Sequence, residues 1–320
     1  MRAMVVSELS GPSGMSLQET AEPESNGTVV IDVRASGVCF PDLLVTYGKY
    51  QMRPKLPFVP GSEVAGVVVT APDGSGLAVG DRVLADSLIG GFAERVAVSP
   101  SQALPIPDSL EFAEAASMTI NYQTIEFALE RRARLRSGET VVVLGAAGGV
   151  GTAAIQLASA HGARVIAVVR REGQESFLRG LGAAEVVQLG EGWGSEVRKL
   201  TGGGADVVID PVGGEAFDEA VRVLAPEGRL VVIGFAGGRI PELKMNRVLF
   251  RNITVMGAAW GEFAMRNPAA MEETHAALVR HVERGLRPVV TARYALGDAA
   301  RALTDLEEGR IAGKGVIVQE

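Results

Sequence analysis

The sequence of 320 residues contains one cysteine, Cys39, and only three histidines. A single cysteine excludes an internal disulfide and any zinc site built from cysteines. The histidines, His161, His275 and His281, all fall in segments with helical patterning, where solvated or hydrogen-bonded positions explain them. The chain therefore offers a metal ion few candidate ligands.

Long apolar runs and an excess of positive charge are also lacking. The longest apolar runs, 64–69 and 141–144, have the length of strands, whereas a membrane-spanning helix needs about 20 apolar residues. The first residues lack the apolar core of a signal peptide, so we expect a soluble, cytoplasmic protein with no membrane partner. Acidic residues outnumber basic ones by 38 to 31, and the net charge of −7 argues against a nucleic-acid partner.

What the sequence does contain changes character near residue 120. Before it, short β-type runs are separated by Gly and Pro, which is typical of a barrel or sandwich. These runs lie at 28–33, 63–70, 81–85 and 92–98. A short helix is expected from Pro41, because proline suits a first helical position and the following Asp42 suits the first turn.

From about residue 139 strands and helices alternate. Apolar runs occur at 140–144, 164–169, 185–188, 206–210, 228–233 and 253–257. Six strands with helical crossovers predict a doubly wound parallel sheet. After residue 285 the β-type pattern returns at 289–294 and 315–318, with a helix at 298–307 between them, and we expect this tail to pack onto the first domain.

A glycine-rich loop follows the first strand of the alternating region. The chain leaves the apolar run 141–144 and then enters a helical stretch. Glycine permits a tight turn and a close approach to a pyrophosphate, which the N–H groups of the helix N-terminus bind. A glycine-rich turn without a ligand would read similarly, but the strand before it, the helix after it and five further β-runs favour a dinucleotide site. The residues predicted to bind the dinucleotide are Gly145, Ala146, Ala147, Gly148, Gly149, Val150 and Gly151.

The end of the second strand predicts which dinucleotide binds. In NAD-binding folds an acidic residue usually lies here and binds the ribose 2′-hydroxyl. This chain has Arg170 and Arg171 instead. A guanidinium binds a 2′-phosphate, which an acid would repel. Two solvated arginines that merely follow a strand would have the same sequence, but the position of Arg170 and Arg171 favours NADPH as the cofactor.

Six motifs spread over nearly the whole chain point to one family. They are Gly37-Val-Cys-Phe-Pro-Asp42, Leu56 to Gly66, Gly80-Asp-Arg-Val83, Gly145 to Gly151, Asp210-Pro-Val-Gly-Gly214 and Gly313-Lys-Gly315. With them the chain resembles the zinc-free branch of the medium-chain dehydrogenase/reductase superfamily, and within it the NADPH:quinone oxidoreductase family. The resemblance implies an α/β fold: a GroES-like β-barrel catalytic domain (1–121 and 262–320) plus a doubly wound, six-stranded, NADP-binding Rossmann domain (122–261).

The resemblance also implies that the enzyme holds no metal. Zinc-containing relatives have a ligand cysteine where Cys39 stands, and a Gly-His-Glu stretch that reads Gly61-Ser62-Glu63 here. A later ligand cysteine aligns by hand with Ile120. Cys39 and Glu63 alone cannot supply the three protein ligands that a catalytic zinc ion needs. We therefore expect a zinc-free site.

Two catalytic candidates follow from the resemblance. Tyr50 matches a tyrosine near the nicotinamide, where its hydroxyl could donate to an oxyanion, although packing at the domain edge explains it equally well. Cys39 stands where many quinone reductases have asparagine, and as a small buried side chain it needs no function. Asp42 suits a helix start better than acid catalysis. The other cofactor contacts implied are Asn121, Thr124, Gly234, Phe235, Ala236, Trp260 (which could instead pack a loop) and Lys314.

A metal-free site limits the reactions that we expect. Without a Lewis acid on the oxygen, alcohol oxidation is disfavoured. Hydride transfer from NADPH to a quinone or another electron-poor conjugated acceptor remains feasible, because it needs mainly orientation. The alternatives are a 2-enoyl-thioester or alkenal reductase, and an NADPH-binding protein with little turnover.

The partners expected are a small-molecule electron acceptor and a second copy of the chain. The resemblance implies a homodimer through the strand at 253–257. Left unpaired, that edge strand would be open to unwanted pairing.

Overall fold

The computed structural model describes residues 1–319, which form two compact units. Unit 1 is Met1–Ile120 together with the chain from Pro268 onward, and unit 2 is Asn121–Asn267. The sequence analysis divides the chain after residues 121 and 261, whereas the compact units divide after residues 120 and 267. Unit 1 is therefore discontinuous in sequence, with unit 2 inserted into it.

The strands are numbered in chain order. They are β1 (Arg2–Val6), β2 (Met15–Glu19), β3 (Val29–Gly37), β4 (Glu63–Thr70), β5 (Arg82–Asp86), β6 (Arg95–Val98), β7 (Ala103–Pro105), β8 (Thr140–Leu144), β9 (Arg164–Val169), β10 (Ala183–Gln188), β11 (Ala205–Asp210), β12 (Leu224–Val232), β13 (Thr254–Gly257), β14 (Ala292–Ala295) and β15 (Gly315–Val318).

The helices are numbered in the same way. They are α1 (Phe40–Thr46), α2 (Phe112–Ala115), α3 (Gln123–Glu126), α4 (Gly149–Ala160), α5 (Glu175–Gly180), α6 (Trp193–Thr201), α7 (Ala216–Arg222), α8 (Met245–Arg251), α9 (Trp260–Arg266), α10 (Pro268–Glu283) and α11 (Ala299–Glu307). Stretches of π-helix, Met118–Tyr122 and Phe127–Ala133, flank α3.

Unit 1 is built around a mostly antiparallel sheet that contains the tail of the chain. The strand order is β14-β15-β3-β4-β5-β7, β6 also pairs with β3, and β1 and β2 form a separate hairpin. The tail strand β15 lies antiparallel to β3, with Val316 opposite Gly37 and Val318 opposite Ala35. Val316 and Ile317 are fully buried there. The expectation that the tail packs onto the first domain is confirmed.

Unit 2 contains the predicted doubly wound sheet. Its six strands are all parallel, in the order β10-β9-β8-β11-β12-β13. The central strand β8 has residues 141–144 buried, since helices cover both faces of such a sheet. The strand order reverses at β8, and ligands of these folds bind outside the carboxyl ends of the strands at this point. The predicted α/β architecture is confirmed.

No helix in the described part of the chain, residues 1–319, is both long enough and apolar enough to cross a membrane.

Candidate active site

The glycine-rich loop joins β8 to α4 at the point where the strand order of unit 2 reverses. Gly145 turns the chain with φ +58°, and the Gly148 N–H donates to the Gly145 carbonyl at 2.9 Å. Helix α4 then begins at Gly149, so the N–H groups of its first turn have no carbonyl partner within the helix. This turn has the geometry that binds a phosphate at a helix N-terminus.

Two residues show why the loop has this sequence. A Cβ at Gly151 would lie 2.3 Å from the Gly145 carbonyl oxygen and 2.6 Å from the Ala146 Cα, so only glycine lets α4 pack against the turn. Ala146 stands where the fingerprint has its first glycine. Its methyl group is fully buried, and its N–H donates to the Val168 carbonyl at 3.2 Å. The alanine is therefore accommodated without opening the turn.

Loops after neighbouring strands meet beside this turn. A Cβ on Gly145 would lie 2.9 Å from a Val212 methyl group, in the loop after β11. The N–H of Ala236, in the loop after β12, donates to the Pro211 carbonyl at 3.1 Å. The predicted residues Gly234, Phe235 and Ala236 thus lie at the same sheet edge as the glycine-rich loop. Three loops at one edge form a candidate dinucleotide site.

Asp210, at the end of β11, organises this edge. Its Oδ1 accepts the N–H groups of Val212 at 2.9 Å and Gly213 at 2.8 Å. The side chain is fully buried, and desolvation raises its pKa despite these hydrogen bonds. Sequence reasoning used Asp210 for the resemblance but gave it no role. The available signal was its place at the end of a strand before two glycines, which have φ +61° and +60°.

The two predicted phosphate-binding arginines follow β9 directly. Arg170 and Arg171 are both exposed. Gln188, at the end of β10, donates from its Nε2 to the Arg170 carbonyl and fixes the backbone there. Both arginines thus extend from a backbone segment that this hydrogen bond fixes. The segment lies at the carboxyl end of β9, the strand next to β8.

Around α3 the structure brings together some of the residues predicted to lie near the nicotinamide. Trp260 is buried, and its Nε1–H donates to Gln123 Oε1 at 3.2 Å. Its ring centroid lies 5.4 Å from that of Phe127. Asn121 is buried and Thr124 is half-buried on the same helical segment. Sequence reasoning missed Gln123, for which an amide within an apolar helix was the only signal.

The catalytic candidates of unit 1, Cys39 and Tyr50, lie on either side of α1. Tyr50 is half-buried and packs against an apolar cluster that includes Met4, Leu43 and Phe58. Asp42 caps α1, because its Oδ2 accepts the Cys39 N–H at 3.0 Å. Burial raises the pKa of this carboxyl to about 7. The predicted helix-start role of Asp42 is confirmed by this contact.

Cys39 belongs to a buried charge cluster, by which we mean Cys39, Glu63 and Lys314. The Cys39 thiol donates to Glu63 Oε1 at 2.9 Å, and the Lys314 ammonium donates to the sulfur at 3.0 Å. The ammonium also contacts Glu63 Oε1. All three residues are at most 3% exposed. Lys314, predicted as a cofactor contact, is thus held by two side chains of unit 1.

The electrostatics of the buried charge cluster are fixed by its burial. Desolvation, followed by the Glu63 charge, raises the pKa of the Cys39 thiol well above its usual value, so the sulfur stays protonated. Desolvation lowers the pKa of the Lys314 ammonium, but its contacts with Cys39 and Glu63 together outweigh this effect and raise the pKa. Both directions favour an ammonium cation beside a neutral thiol.

The three positions that the resemblance matches to zinc ligands do converge in unit 1. Glu63 Oε1 contacts Cys39, and Glu63 Oε2 accepts the Ile120 N–H at 2.7 Å. Ser62 precedes Glu63 and is 6% exposed. Positions 39, 62 and 120 thus lie around one carboxylate, that of Glu63.

The histidines occupy hydrogen-bonded positions. His161 directly follows α4, rather than lying within it, and pairs with Glu126 at 3.1 Å and Glu130 at 3.2 Å, which raises its pKa. In unit 1, His275 Nε2–H donates to the Pro105 carbonyl at 2.7 Å, and burial lowers its pKa. His281 lies on α10. Ion pairs with carboxylates thus account for His161, and a hydrogen bond to the end of β7 accounts for His275.

Comparison with known families gives two matches, one within unit 1 and one that begins in unit 2 and extends into α10. Residues 25–108 match the alcohol dehydrogenase GroES-like domain, and residues 149–277 match zinc-binding dehydrogenase. The GroES-like assignment of unit 1 is thereby confirmed. The donor set around Cys39 does not fit a catalytic zinc ion, because a serine and an isoleucine stand at two ligand positions and an ammonium lies 3.0 Å from the thiol.

Several solved structures resemble the chain over nearly its full length. A probable oxidoreductase from Mycobacterium abscessus is 49% identical, with a TM-score of 0.93, covering 100% of this chain and 99% of that one. The quinone oxidoreductase from Thermus thermophilus, solved also in complex with NADPH, is 36% identical, with a TM-score of 0.86 and 100% of both chains covered.

Curated sequences give the same result. Mouse quinone oxidoreductase-like protein 2 is 37% identical over 290 residues, which are 89% of this chain and 82% of the mouse protein. Together with the two matched domains, this level of identity identifies the family. The chain belongs to the quinone oxidoreductase family of the medium-chain dehydrogenase/reductase superfamily, and it is an oxidoreductase.

Proposed function

We propose that this protein binds NADPH and transfers its hydride to a quinone or another electron-poor conjugated acceptor. The observation that carries the proposal is the meeting of the loops after β8, β11 and β12 at one edge of the sheet, next to two arginines after β9. NADPH, when bound, supplies a hydride from its nicotinamide ring. The protein supplies binding, orientation and exclusion of water.

In this proposal, different residues bind different parts of the cofactor. The turn 145–151 and the N-terminus of α4 bind the pyrophosphate, since N–H groups and the helix dipole favour an anion. Arg170 and Arg171 pair with the 2′-phosphate. The loop 234–236 and the helical segment with Asn121 and Thr124 contact the nicotinamide half.

The acceptor is reduced without a metal ion. The polar groups that meet at the matched ligand positions include the Cys39 thiol, the Glu63 carboxylate and the Lys314 ammonium, and none of them is a Lewis acid that could polarise an alcohol oxygen. A quinone or enone accepts hydride readily because its conjugated system spreads the added negative charge. A proton completes the reaction at the acceptor, and the Tyr50 hydroxyl is the candidate donor.

The test follows NADPH and NADH oxidation with quinones, enones and enoyl-CoA esters offered in parallel. The proposal expects NADPH to be consumed faster than NADH, and quinones or enones to be reduced. Preferred turnover of enoyl-CoA would favour the thioester alternative instead, and exchange of the exposed Arg53 and Lys55 for alanine should then raise KM. Tight NADPH binding without consumption by any acceptor would show a cofactor-binding protein, and no NADPH binding would refute both classes.

We also propose a homodimer through the edge of the sheet in unit 2. Strand β13 ends the strand order, and the helix before it, α8, exposes three large apolar side chains. These are Met245 (70% exposed), Leu249 (69%) and Phe250 (79%). Exposed apolar groups beside an open strand edge favour association.

Sedimentation at micromolar concentration tests the dimer. The wild type is expected to sediment as a dimer and Phe250→Glu as a mixture containing monomer. Leu17→Glu, a matched change of an exposed leucine on unit 1, should leave the dimer intact. A monomeric wild type would contradict the proposal.

A further inference from the structure

The buried charge cluster has the donor chemistry of a metal site. A thiol and a carboxylate converge on one point in unit 1, where Cys39 Sγ and Glu63 Oε1 lie 2.9 Å apart. Such a pair, deep in a protein, usually binds a cation, because a buried carboxylate without a counter-charge is unfavourable. The residues present nevertheless do not fit zinc.

A cation is already present in this position. The Lys314 Nζ lies 3.0 Å from the Cys39 sulfur and in contact with the same Glu63 oxygen. A metal ion bound by both atoms would stand about 2.0–2.3 Å from each, which is the space that the ammonium occupies. Two cations this close in a buried site would repel each other strongly. Metal binding therefore requires Lys314 to leave.

We propose that Lys314 is the resident cation of this site, taking the place of a divalent metal between Cys39 and Glu63. The inference deepens the proposed metal-independent reaction and rests on it for its functional meaning. Lys314 is then a positioning residue: it excludes metals and keeps the carboxylate in one orientation.

The orientation of Glu63 connects the cation to the rest of unit 1. The ammonium and the thiol engage Oε1, which leaves Oε2 to accept the Ile120 N–H at 2.7 Å. Ile120 lies in the π-helical stretch Met118–Tyr122, at the end of unit 1 where the chain continues into unit 2. Lys314 thereby holds this helical stretch through Glu63, as a bound metal would hold its ligands.

The experiment uses Co²⁺ as the probe, because a cobalt–thiolate bond absorbs strongly in the near ultraviolet. Three full-length proteins are compared: the wild type, Ser62→His, and Ser62→His with Lys314→Ala. Ser62 stands where zinc-containing relatives have histidine, so Ser62→His adds the missing ligand. The single variant keeps Lys314, and the double variant removes its ammonium. Circular dichroism and thermal unfolding establish that each variant is folded.

Only the double variant is expected to bind Co²⁺ through Cys39. It should show the thiolate absorption with one equivalent of Co²⁺ and at least tenfold tighter binding than Ser62→His alone, which should resemble the wild type. The inference is overturned if Ser62→His binds as tightly as the double variant, or if a folded double variant shows no thiolate absorption.

A second measurement on the wild type does not depend on whether variants fold. The chain has five lysines, so nitrogen-15 spectra of the lysine ammonium groups are simple. We expect one ammonium signal that is protected from exchange, persists at pH 10 and does not move when Co²⁺ is added. An absent protected signal, or one that Co²⁺ displaces, contradicts the resident cation.

The outcome is separable from that of the proposed function. Metal-free wild type with a protected ammonium but no NADPH oxidation would keep Lys314 as the resident cation and remove the reductase. If the wild type instead oxidises NADPH but takes up Co²⁺ through Cys39, the reductase proposal stands and Lys314 is not the resident cation.

Discussion

The glycine-rich loop of unit 2 and the buried charge cluster of unit 1 are two sites built in opposite ways. The loop is seven consecutive residues, 145–151, and the phosphate site proposed there uses backbone N–H groups at the start of α4. The cluster consists of side chains, and its Cys39 and Lys314 are 275 residues apart in sequence. A local backbone site is sensitive to added atoms, whereas a long-range charged site is sensitive to a lost charge. This difference gives each site its own test.

Removing the cation from the buried charge cluster should have the largest effect. Lys314→Met leaves the fully buried Glu63 carboxylate without a counter-charge, so the free energy of unfolding should fall by about 3–5 kcal/mol. Denaturant unfolding measures this. The double variant with Glu63→Gln removes both charges and should recover most of the loss. Equal losses in the single and double variants would show that the charge is not the cause.

Adding one methyl group to the loop should come next. In Gly151→Ala the new Cβ would meet backbone atoms of residues 145 and 146, so the turn must shift. We expect stability to fall by about 1–3 kcal/mol and NADPH binding to be lost in fluorescence titrations. The control is Gly180→Ala at the end of α5, where a Cβ meets nothing within 4 Å. That variant should bind NADPH normally, and a wild-type affinity for Gly151→Ala would contradict the backbone site.

Reversing a charge at the end of β9 should change selectivity rather than stability. Arg170→Asp exchanges an exposed attractive charge for a repulsive one. NADPH affinity should fall by about 1.5–3 kcal/mol, or tenfold to over a hundredfold, while NADH affinity changes little. Titrations with both cofactors measure this, and Arg164→Asp at the other end of the strand serves as the control. Equal effects on NADPH and NADH would remove the assignment to the 2′-phosphate.

A change of stability with pH is expected from Asp42, which lies beside the buried charge cluster. Burial raises the pKa of its carboxyl to about 7, so the native state favours the protonated form. The stability that the protonated Asp42 carboxyl contributes is therefore fully present below about pH 4, and it is lost as the pH rises through 7. Asp42→Asn should keep the cap, flatten this dependence and be more stable than the wild type at pH 8.

Denaturation of Asp42→Asn and the wild type from pH 4 to 8 checks this dependence. Asp42→Ala is the matched control, because it flattens the same dependence but loses the cap, which is worth about 1 kcal/mol. A wild-type slope that survives in Asp42→Asn would assign the titration to another group.

The sequence predicts those parts whose pattern is local. The runs 140–144 and 164–169 coincide with β8 and β9, because strands covered on both faces are continuously apolar. The glycine-rich loop is predictable because the turn, the close approach and the helix start each require particular residues in a fixed order. The tail strand at 315–318 is predictable from its own short apolar run.

The contacts of individual side chains could not be predicted in this way. Lys314 lies in a Gly-Lys-Gly segment that says nothing of the direction of its side chain, and the structure places its ammonium on Cys39 and Glu63. Trp260 could line a pocket or pack a loop, and only its contacts with Gln123 and Phe127 show where the indole lies. Such pairs depend on tertiary packing, which no spacing rule encodes.

The insertion of unit 2 into unit 1 has a consequence for biosynthesis. Residues 121–267 are contiguous and contain every strand of their sheet, so they can fold as soon as they leave the ribosome. The sheet of unit 1 is incomplete until β15 has been synthesised, and Lys314 is synthesised just before that strand. Until then Cys39 and Glu63 lack their counter-charge. A ribosome stalled shortly before residue 314 therefore holds a nascent chain whose unit 2 sheet can be complete, while Cys39 and Glu63 still lack the ammonium.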